Sequence, residues 1–336
     1  MKHLYILFLM ATAVALLSMA NIFFGSVDIP ASFVWSLLRG NAEGGNAAWT
    51  IIIKESRIPQ MIVALLCGAS LGTCGLLLQT AFRNPLAGPS ILGIDAGANL
   101  GVALVLLGGG FTLGGLTTSG FIGTVMAAMM GALCVMSLLL TLSQWLKQQA
   151  MLLITGVVIG NVTSSIIQLL VYGATEQGTR SYVMWGMGNF AGPSISHLPA
   201  FILLISTGLV AATLLAKPLD ALLLGDRYAQ NLGVNIHRMR QSLLLVTGLL
   251  TATTTAYCGP IAFLGLAVPH IARLGLRTSK HLILIPGTML TGSILTLSCN
   301  LISTMPNDGS VIPVNVITPL IGAPVILYVI FRQRHS

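Results

Sequence analysis

Few side chains in this 336-residue chain are equipped for chemistry, and they lie far apart. Asp95 and His270 are the clear candidates for titratable groups at membrane depth. A charge at the centre of a bilayer costs roughly 2.5–3.5 kcal/mol on insertion scales, so such groups are kept for proton relay, for a substrate or for a helix end. Asp95 opens an apolar run, where a carboxylate meets free backbone N–H groups and complements the helix dipole. Capping is therefore expected of it ahead of proton relay. His270, within Val268-Pro269-His270-Ile271-Ala272-Arg273, ends a short apolar run where solvent or a neighbouring loop satisfies the ring, so a structural histidine is expected. Cys67, Cys74, Cys134, Cys258 and Cys299 form no CxxC pair and have no histidine at metal-site spacing. They read as small core residues, with neither a metal site nor a disulfide framework. No GxxxxGK[ST] loop is present, so the chain cannot split a nucleotide in the P-loop manner, and any ATP dependence needs a partner. Neither a catalytic residue nor a cofactor is expected.

The elements that carry these residues are membrane helices. Of the residues, 55% are hydrophobic and 7% charged, too little polar surface to coat a water-soluble globule of this length. Apolar runs of about 20 residues, enough to span the hydrocarbon core, recur about ten times and leave no room for a soluble domain. The fold class is all-α, a single polytopic membrane domain over 1–336. The spans are expected at 4–24, 58–80, 91–107, 121–142, 152–172, 198–216, 242–257, 261–271 (short), 282–301 and 313–331. The first is read as a transmembrane helix, not a cleaved signal, because apolar residues resume at Ile22, Phe23 and Phe24 beyond the faint Ser18-Met19-Ala20 site. Between the first two spans lies a mixed external loop with one interfacial helix near 31–38.

Basic residues orient the bundle. Lys2, Arg83, Lys147, Lys217, Arg227, Arg238, Arg240, Arg273, Arg277, Lys280, Arg332 and Arg334 fall on one side, and Arg39, Lys54, Arg57 and Arg180 on the other. The positive-inside rule then puts both termini in the cytoplasm. The basic excess, 16 Lys and Arg against 8 Asp and Glu, is scattered over short loops and makes no nucleic-acid patch. Small-xxx-small spacings at Gly68/Gly72, Gly93/Gly97/Gly101 and Gly156/Gly160 predict close helix packing. Gly88-Pro89 and Gly259-Pro260 interrupt apolar runs of opposite direction, as an inverted repeat would. The loop 217–240, KPLDALLLGDRYAQNLGVNIHRMR, mixes charge with an apolar stripe of Leu222, Leu223, Leu224, Ala229 and Leu232. It reads either as an interfacial connector or as a docking surface for a cytoplasmic subunit.

Four ordered segments carry a resemblance. LLLGDRYAQNLGV (222–234), CGPIAFLGLAVPHIARLG (258–275), RIPQMIVALLCGASLGTCGLLLQTAFRNPLAGPSILGIDAGA (57–98) and IPVNVITPLIGAPVILYVI (312–330) resemble the FecCD family, nearly end to end. Its members are permease subunits of ABC importers for iron siderophores, haem and vitamin B12. The resemblance implies the type II ABC importer permease fold with ten helices. The subunit would pair with a second copy, as a homodimer or with a close relative, around a central path. Two cytoplasmic ATPase subunits would lie below and a substrate-binding protein above. It also implies ATPase-coupling helices at Leu224, Gly225, Asp226, Ala229, Leu232 and Gly233, where the glycines end short helices. A cytoplasmic gate would fall on Asn84 and Leu86 of the NPLA turn and on Gln149 and Ala150. The fifth helix would line the path with Asn161, Thr163, Ser164, Ser165 and Gln168.

The chain departs from the family at the external docking positions. Arg57 keeps the first arginine of an RLPR-like motif, but Gln60 stands at the second, and Asn300, Thr304 and Val311 replace charges near the last helix. Arg57, Gln60 and Thr304 are thus the expected binding-protein contacts, with Arg57 the main one. The function implied is ATP-driven import of an iron chelate, with cobalamin as the alternative cargo. An ion-coupled carrier or a membrane scaffold without an ATPase are the rival classes.

Overall fold

In the computed structural model the described residues are 2–40, 47–108, 120–145, 149–305 and 311–333, with the side chains of 149–150 and 328–333 also outside the description. The described chain is helical throughout: α1 (Lys2–Phe23), α2 (Ala31–Leu38), α3 (Ala47–Ile51), α4 (Ile58–Ala81), α5 (Ile94–Leu106), α6 (Phe121–Trp145), α7 (Gln149–Gly173), α8 (Glu176–Gly186), α9 (Leu198–Leu214), α10 (Ala216–Leu223), α11 (Asp226–Asn231), α12 (Ile236–Cys258), α13 (Leu264–Leu276), α14 (His281–Ser303) and α15 (Val314–Gln333). Every expected span has its helix, in α1, α4, α5, α6, α7, α9, α12, α13, α14 and α15. Among the described residues six helical stretches are long and apolar enough to cross a membrane unaided. α5, α13 and α15 contribute shorter apolar helices. α12 is long enough, at 23 residues, but carries Thr247, Thr251, Thr253, Thr254 and Thr255. All five threonines are buried, so this helix faces protein and needs no lipid-compatible coat.

α4 is the centre of the bundle, packed by α14, α12, α13, α9 and α1, while α5 joins α6, α7 and α8 to it through α12. Glycine makes the closest crossings possible. A Cβ on Gly68 would lie 2.2 Å from the Gly292 carbonyl oxygen, and one on Gly292 would lie 2.1 Å from that of Gly68. Gly97 and Gly131 face each other in the same reciprocal way between α5 and α6. The small-residue spacings therefore serve seams within the chain, where backbones must touch because lipid gives helices no hydrophobic drive to associate. Ser70 and Thr254 add a hydroxyl pair at 2.9 Å between α4 and α12.

The two Gly-Pro interruptions meet. After α4 the chain turns back through a 3₁₀ turn, Pro89–Leu92, into α5. After α12 it turns at Gly259 (φ +75°) and Phe263 (φ +68°) into α13. A Cβ on Gly265 would sit 2.5 Å from Pro89 Cδ, and one on Gly75 would sit 1.7 Å from the Gly265 carbonyl oxygen. Gly75 lies six residues before the end of α4, roughly 9 Å along its axis, so both turns reach into the bundle.

Two local features differ from expectation. The segment between the first two spans contains α2 as expected, but it continues through α3 and a π-helical segment, Ile52–Arg57, straight into α4. Four of the cysteines are buried and all are unpaired, yet Cys134 is exposed on α6 and is not a core residue. Glu43, Lys147 and Arg334 lie outside the described residues.

Candidate functional site

The site is built at the end of the bundle where α4 stops. Its last turn is closed by Phe82 N–H to the Leu78 carbonyl (2.9 Å), Arg83 N–H to Thr80 (3.3 Å) and Asn84 N–H to Gln79 (3.2 Å). Arg83 has φ +46°, a left-handed conformation that is uncommon for a residue with a Cβ. The following NPLA turn is held by its own asparagine: Asn84 Oδ1 accepts the Leu86 N–H at 2.9 Å, and Ala87 N–H donates to the Asn84 carbonyl at 3.0 Å. Leu86 is half exposed at the tip, at 50%. Gln149 and Ala150 begin α7. Their side chains lie outside the described residues.

Opposite this turn sits the α10–α11 pair. The expected apolar stripe divides in two. Leu222 and Ala229 are buried, with Leu219 and Ala221, against Leu76, Leu77, Leu276 and Leu284 of the bundle. Leu223, Leu224, Tyr228 and Leu232 are exposed, Leu224 at 64% and Leu232 at 60%. Ala229, expected among the ATPase-coupling residues, has no exposed surface. Its small side chain seats α11 on the core. Gly225 takes φ +112° and ψ 152° and Gly233 takes φ +85°, regions that L side chains rarely enter, and both ends of α11 turn there. Asp226 is held from both sides, by Arg83 Nη2 at 2.6 Å and by Arg240 Nη2 at 3.1 Å.

Other polar side chains tie the end of α4 to its neighbours, and no sequence motif marked their pairing. His281, 1% exposed, donates Nδ1–H to Asp220 Oδ1 at 2.6 Å, which leaves Nε2 to accept the Thr80 hydroxyl at 3.0 Å. Asp220 also receives the His281 backbone N–H at 2.9 Å, so it caps α14 from α10. Arg273 donates to Gln79 Oε1 at 2.7 Å, and His270 Nε2–H donates to the Pro85 carbonyl at 3.0 Å. His270 is thus structural, as expected, and the group it satisfies belongs to the NPLA turn. Charge in the loop and in PHIARLG was the available signal; the pairing needed the fold.

α7 presents a different surface. Asn161, Ser164, Ser165 and Gln168 are all exposed and line one stripe at helical spacing, while Thr163 turns inward. Ile154, Val158, Val162 and Leu169 flank the stripe and are exposed too. Only 11% of the most apolar stretch of this helix is buried, the least of the six long apolar helices. Asp95 does not cap α5, whose N-cap is Gly93. Its carboxylate accepts the Thr255 hydroxyl at 2.6 Å and joins α5 to α12. Asp95 stands in the first turn of α5, where a carboxylate complements the helix dipole as expected, but its hydrogen bond goes to the neighbouring helix and not to free backbone N–H groups.

At the other end of the bundle the expected docking residues point inward. Arg57, 6% exposed, donates to the carbonyls of Ile22 (2.9 Å), Phe23 (2.8 Å) and Val27. The last carbonyls of α1 would otherwise lack partners, and a guanidinium is suited to a helix C-terminus. Gln60 Nε2 donates to Asn300 Oδ1 at 2.9 Å, and Asn300 Nδ2 donates to Asn21 Oδ1 at 2.8 Å. Thr304 is buried and bonds the Asn300 carbonyl of its own helix at 3.1 Å. Arg57 and Gln60, which the family resemblance assigns to a docking face, thus hold α1, α4 and α14 together with Asn21 and Asn300. Asn315, which lies in the matching segment 312–330 but has no role implied for it there, clamps the same end: its Oδ1 accepts the Ala262 N–H at 3.1 Å and its Nδ2 donates to the carbonyls of Gly186 (3.1 Å) and Pro260 (2.5 Å).

A family model described as the FecCD transport family matches residues 12–332. The vitamin B12 import system permease protein BtuC of Klebsiella pneumoniae is 34% identical over 291 residues, covering 86% of this chain and 85% of that protein. The hemin transport system permease protein HmuU of Yersinia pestis is 31% identical over 322 residues, covering 96% and 93%. A solved structure described as an inward-facing conformation of a metal-chelate type ABC transporter aligns with a TM-score of 0.85 at 26% identity, over 98% of this chain and 99% of that one.

Proposed function

Because the chain belongs to the FecCD transport family, we propose that it acts as the transmembrane half of an importer whose cargo is an iron chelate and whose energy comes from ATP split in a separate subunit. It is a multi-pass inner-membrane permease subunit of an ABC importer, and that family implies an ATPase partner and a substrate-binding protein. In this reading the ATPase subunits, two per assembly, lie on the cytoplasmic side with both termini of the chain. They engage Leu224, Leu232 and the neighbouring exposed Leu223 and Tyr228, with Gly225 and Gly233 setting the turns. Asn84, Leu86, Gln149 and Ala150 form the inner gate. The observation that carries the reading is the divided stripe of α10–α11: one face is packed into the bundle, and the other offers four exposed apolar side chains beside the NPLA turn. A plain connector lying on lipid would have no reason to be hydrogen-bonded to the end of α4.

The exposed stripe of α7 supports pairing with a second copy around a shared path, with Asn161, Ser164, Ser165 and Gln168 facing the cargo. These groups are neutral and suit a large complex that must be released as readily as it is admitted. Cobalamin is the second reading of the cargo, favoured by the relationship to the vitamin B12 permease. Membrane vesicles holding the chain with its co-purified partners test the whole proposal. Uptake of radiolabelled ferric siderophore, haem or cobalamin is expected with ATP and not with an ion gradient alone. Uptake driven by the gradient without ATP overturns the proposal.

A further inference from the structure

The carboxylate of Asp226 is shared between two helices that the sequence places far apart. Oδ1 meets the guanidinium of Arg83 just beyond α4, and Oδ2 meets that of Arg240 in the first turns of α12. The same Arg83 Nη2 also donates to the Leu222 carbonyl, at 3.2 Å, near the end of α10. Arg83 thus grips both short helices at their junction, and its left-handed backbone (φ +46°) turns the side chain that way. The next residue is Asn84, which organises the NPLA turn through its own side chain. On its far side that turn is held by His270, and the preceding turn of α4 by Arg273, both from α13.

We propose that Asp226 is a positioning residue, a pin that ties α11 through Arg83 to the start of the NPLA turn, so that movement of the α11 end of the α10–α11 segment reaches Leu86 by way of this ion pair. The Arg83–Leu222 and Asp220–His281–Thr80 bonds meanwhile hold α10. The proposal deepens the reading above and rests on it for the source of the movement. Its neighbours in and beside α11 have other roles, since Ala229 anchors the helix by packing while Tyr228 and Leu232 face away from the bundle. The side chains of Arg83, Asp226 and Arg240 retain 46%, 33% and 25% of their exposure. Pairs so well hydrated add little to stability. Their value lies in geometry, and a contact of low strength can be broken and remade within a cycle. A two-state element biased by such a contact is the physical form that coupling between distant surfaces requires.

The test places a cysteine in the turn by Leu86→Cys and follows its reaction with a membrane-impermeant maleimide, with the unsubstituted chain as background for the native thiols. In the complex with its co-purified ATPase subunits, adding ATP should change the labelling rate by about fivefold or more. Asp226→Asn and Arg83→Gln should each remove that change, the double variant should go no further, and Asp226→Glu should restore it. A full ATP response in Asp226→Asn, or single effects that add, overturns the pin. A second arm uses the full chain alone in vesicles without nucleotide. There Asp226→Asn should raise the labelling rate of the turn as Arg83→Gln does, and an unchanged rate overturns the pin whatever drives the transporter. An absent ATP response in the parent with a positive second arm sinks the proposed energy source and upholds the pin.

Discussion

Asn315 satisfies three backbone groups at once, in the α8 turn and in the break between α12 and α13. Removing it would leave those groups without partners; they are exposed or part-buried, so each loss costs about 0.5–1.5 kcal/mol, the net worth of an ordinary hydrogen bond. Asn315→Ala should therefore lower the melting temperature of the detergent-purified chain, and Asn315→Asp, which keeps the acceptor but turns a carboxylate oxygen on the Gly186 and Pro260 carbonyls, should lower it at least as far. Melting of Asn315→Ala at the parent temperature would remove the clamp from the account. At this scale the sequence was legible where backbone conformation restricts residue type, as at Gly225 and Gly233, whose positive φ angles match their expected place at helix ends. It misled where a side chain chooses among neighbours. The resemblance gave Arg57 and Gln60 a docking role and position gave Asp95 a capping one, yet each is bonded to a helix distant in sequence. Ala229 looked like part of one apolar stripe because a short helix with a turn at either end does not keep one periodicity, and only packing tells its two faces apart.

Elements were easier to read than contacts, because hydropathy records the thickness of the bilayer directly. α2 was recovered at its observed bounds and each span found its helix. The run from Ala47 to Arg57 was not recovered as helix. Its π-helical part widens the turn, and such segments depend on what the displaced residues meet; here Arg57 reaches the end of α1. Glycine spacings announced close crossings but could not name the partners. The crossing of α4 on α14 gives the sharpest test, since a single methyl group at Gly68 would lie 2.2 Å from a backbone oxygen with nowhere to retreat. Gly68→Ala should destabilise the chain by about 1–3 kcal/mol, the usual range for overpacking. Gly275→Ala, with no atom within 4 Å of the added carbon, serves as the control and should keep or slightly raise the melting temperature, since alanine favours the helix. Equal melting of the two variants would contradict the seam.

For the whole molecule the strongest expectation concerns sidedness. The excess of basic residues on one side, α10–α11 included, orients the bundle through the positive-inside rule. Leu232→Cys, 60% exposed in the parent, should react with an impermeant maleimide in inside-out vesicles and not in right-side-out ones, and added ATPase subunits should protect it. Reaction from the outer face would invert the topology and take the coupling surface with it. The class of the molecule was legible because four segments spread along the chain point the same way, and the family match over 12–332 agrees. What the sequence could not convey is how differently the two rims of the bundle are fastened. The rim at α10–α11 uses a carboxylate and guanidinium groups, which salt weakens. The opposite rim is linked through Asn21, Asn300 and Gln60, amides that neither gain nor lose a proton at any ordinary acidity, and through the buried Arg57 guanidinium, which holds backbone carbonyls and no carboxylate. A medium that turns sour or briny would slacken an ion pair there, whereas amides and a buried guanidinium on neutral carbonyls lose no partner to protonation, so the mouth on that side holds its shape through changes of weather.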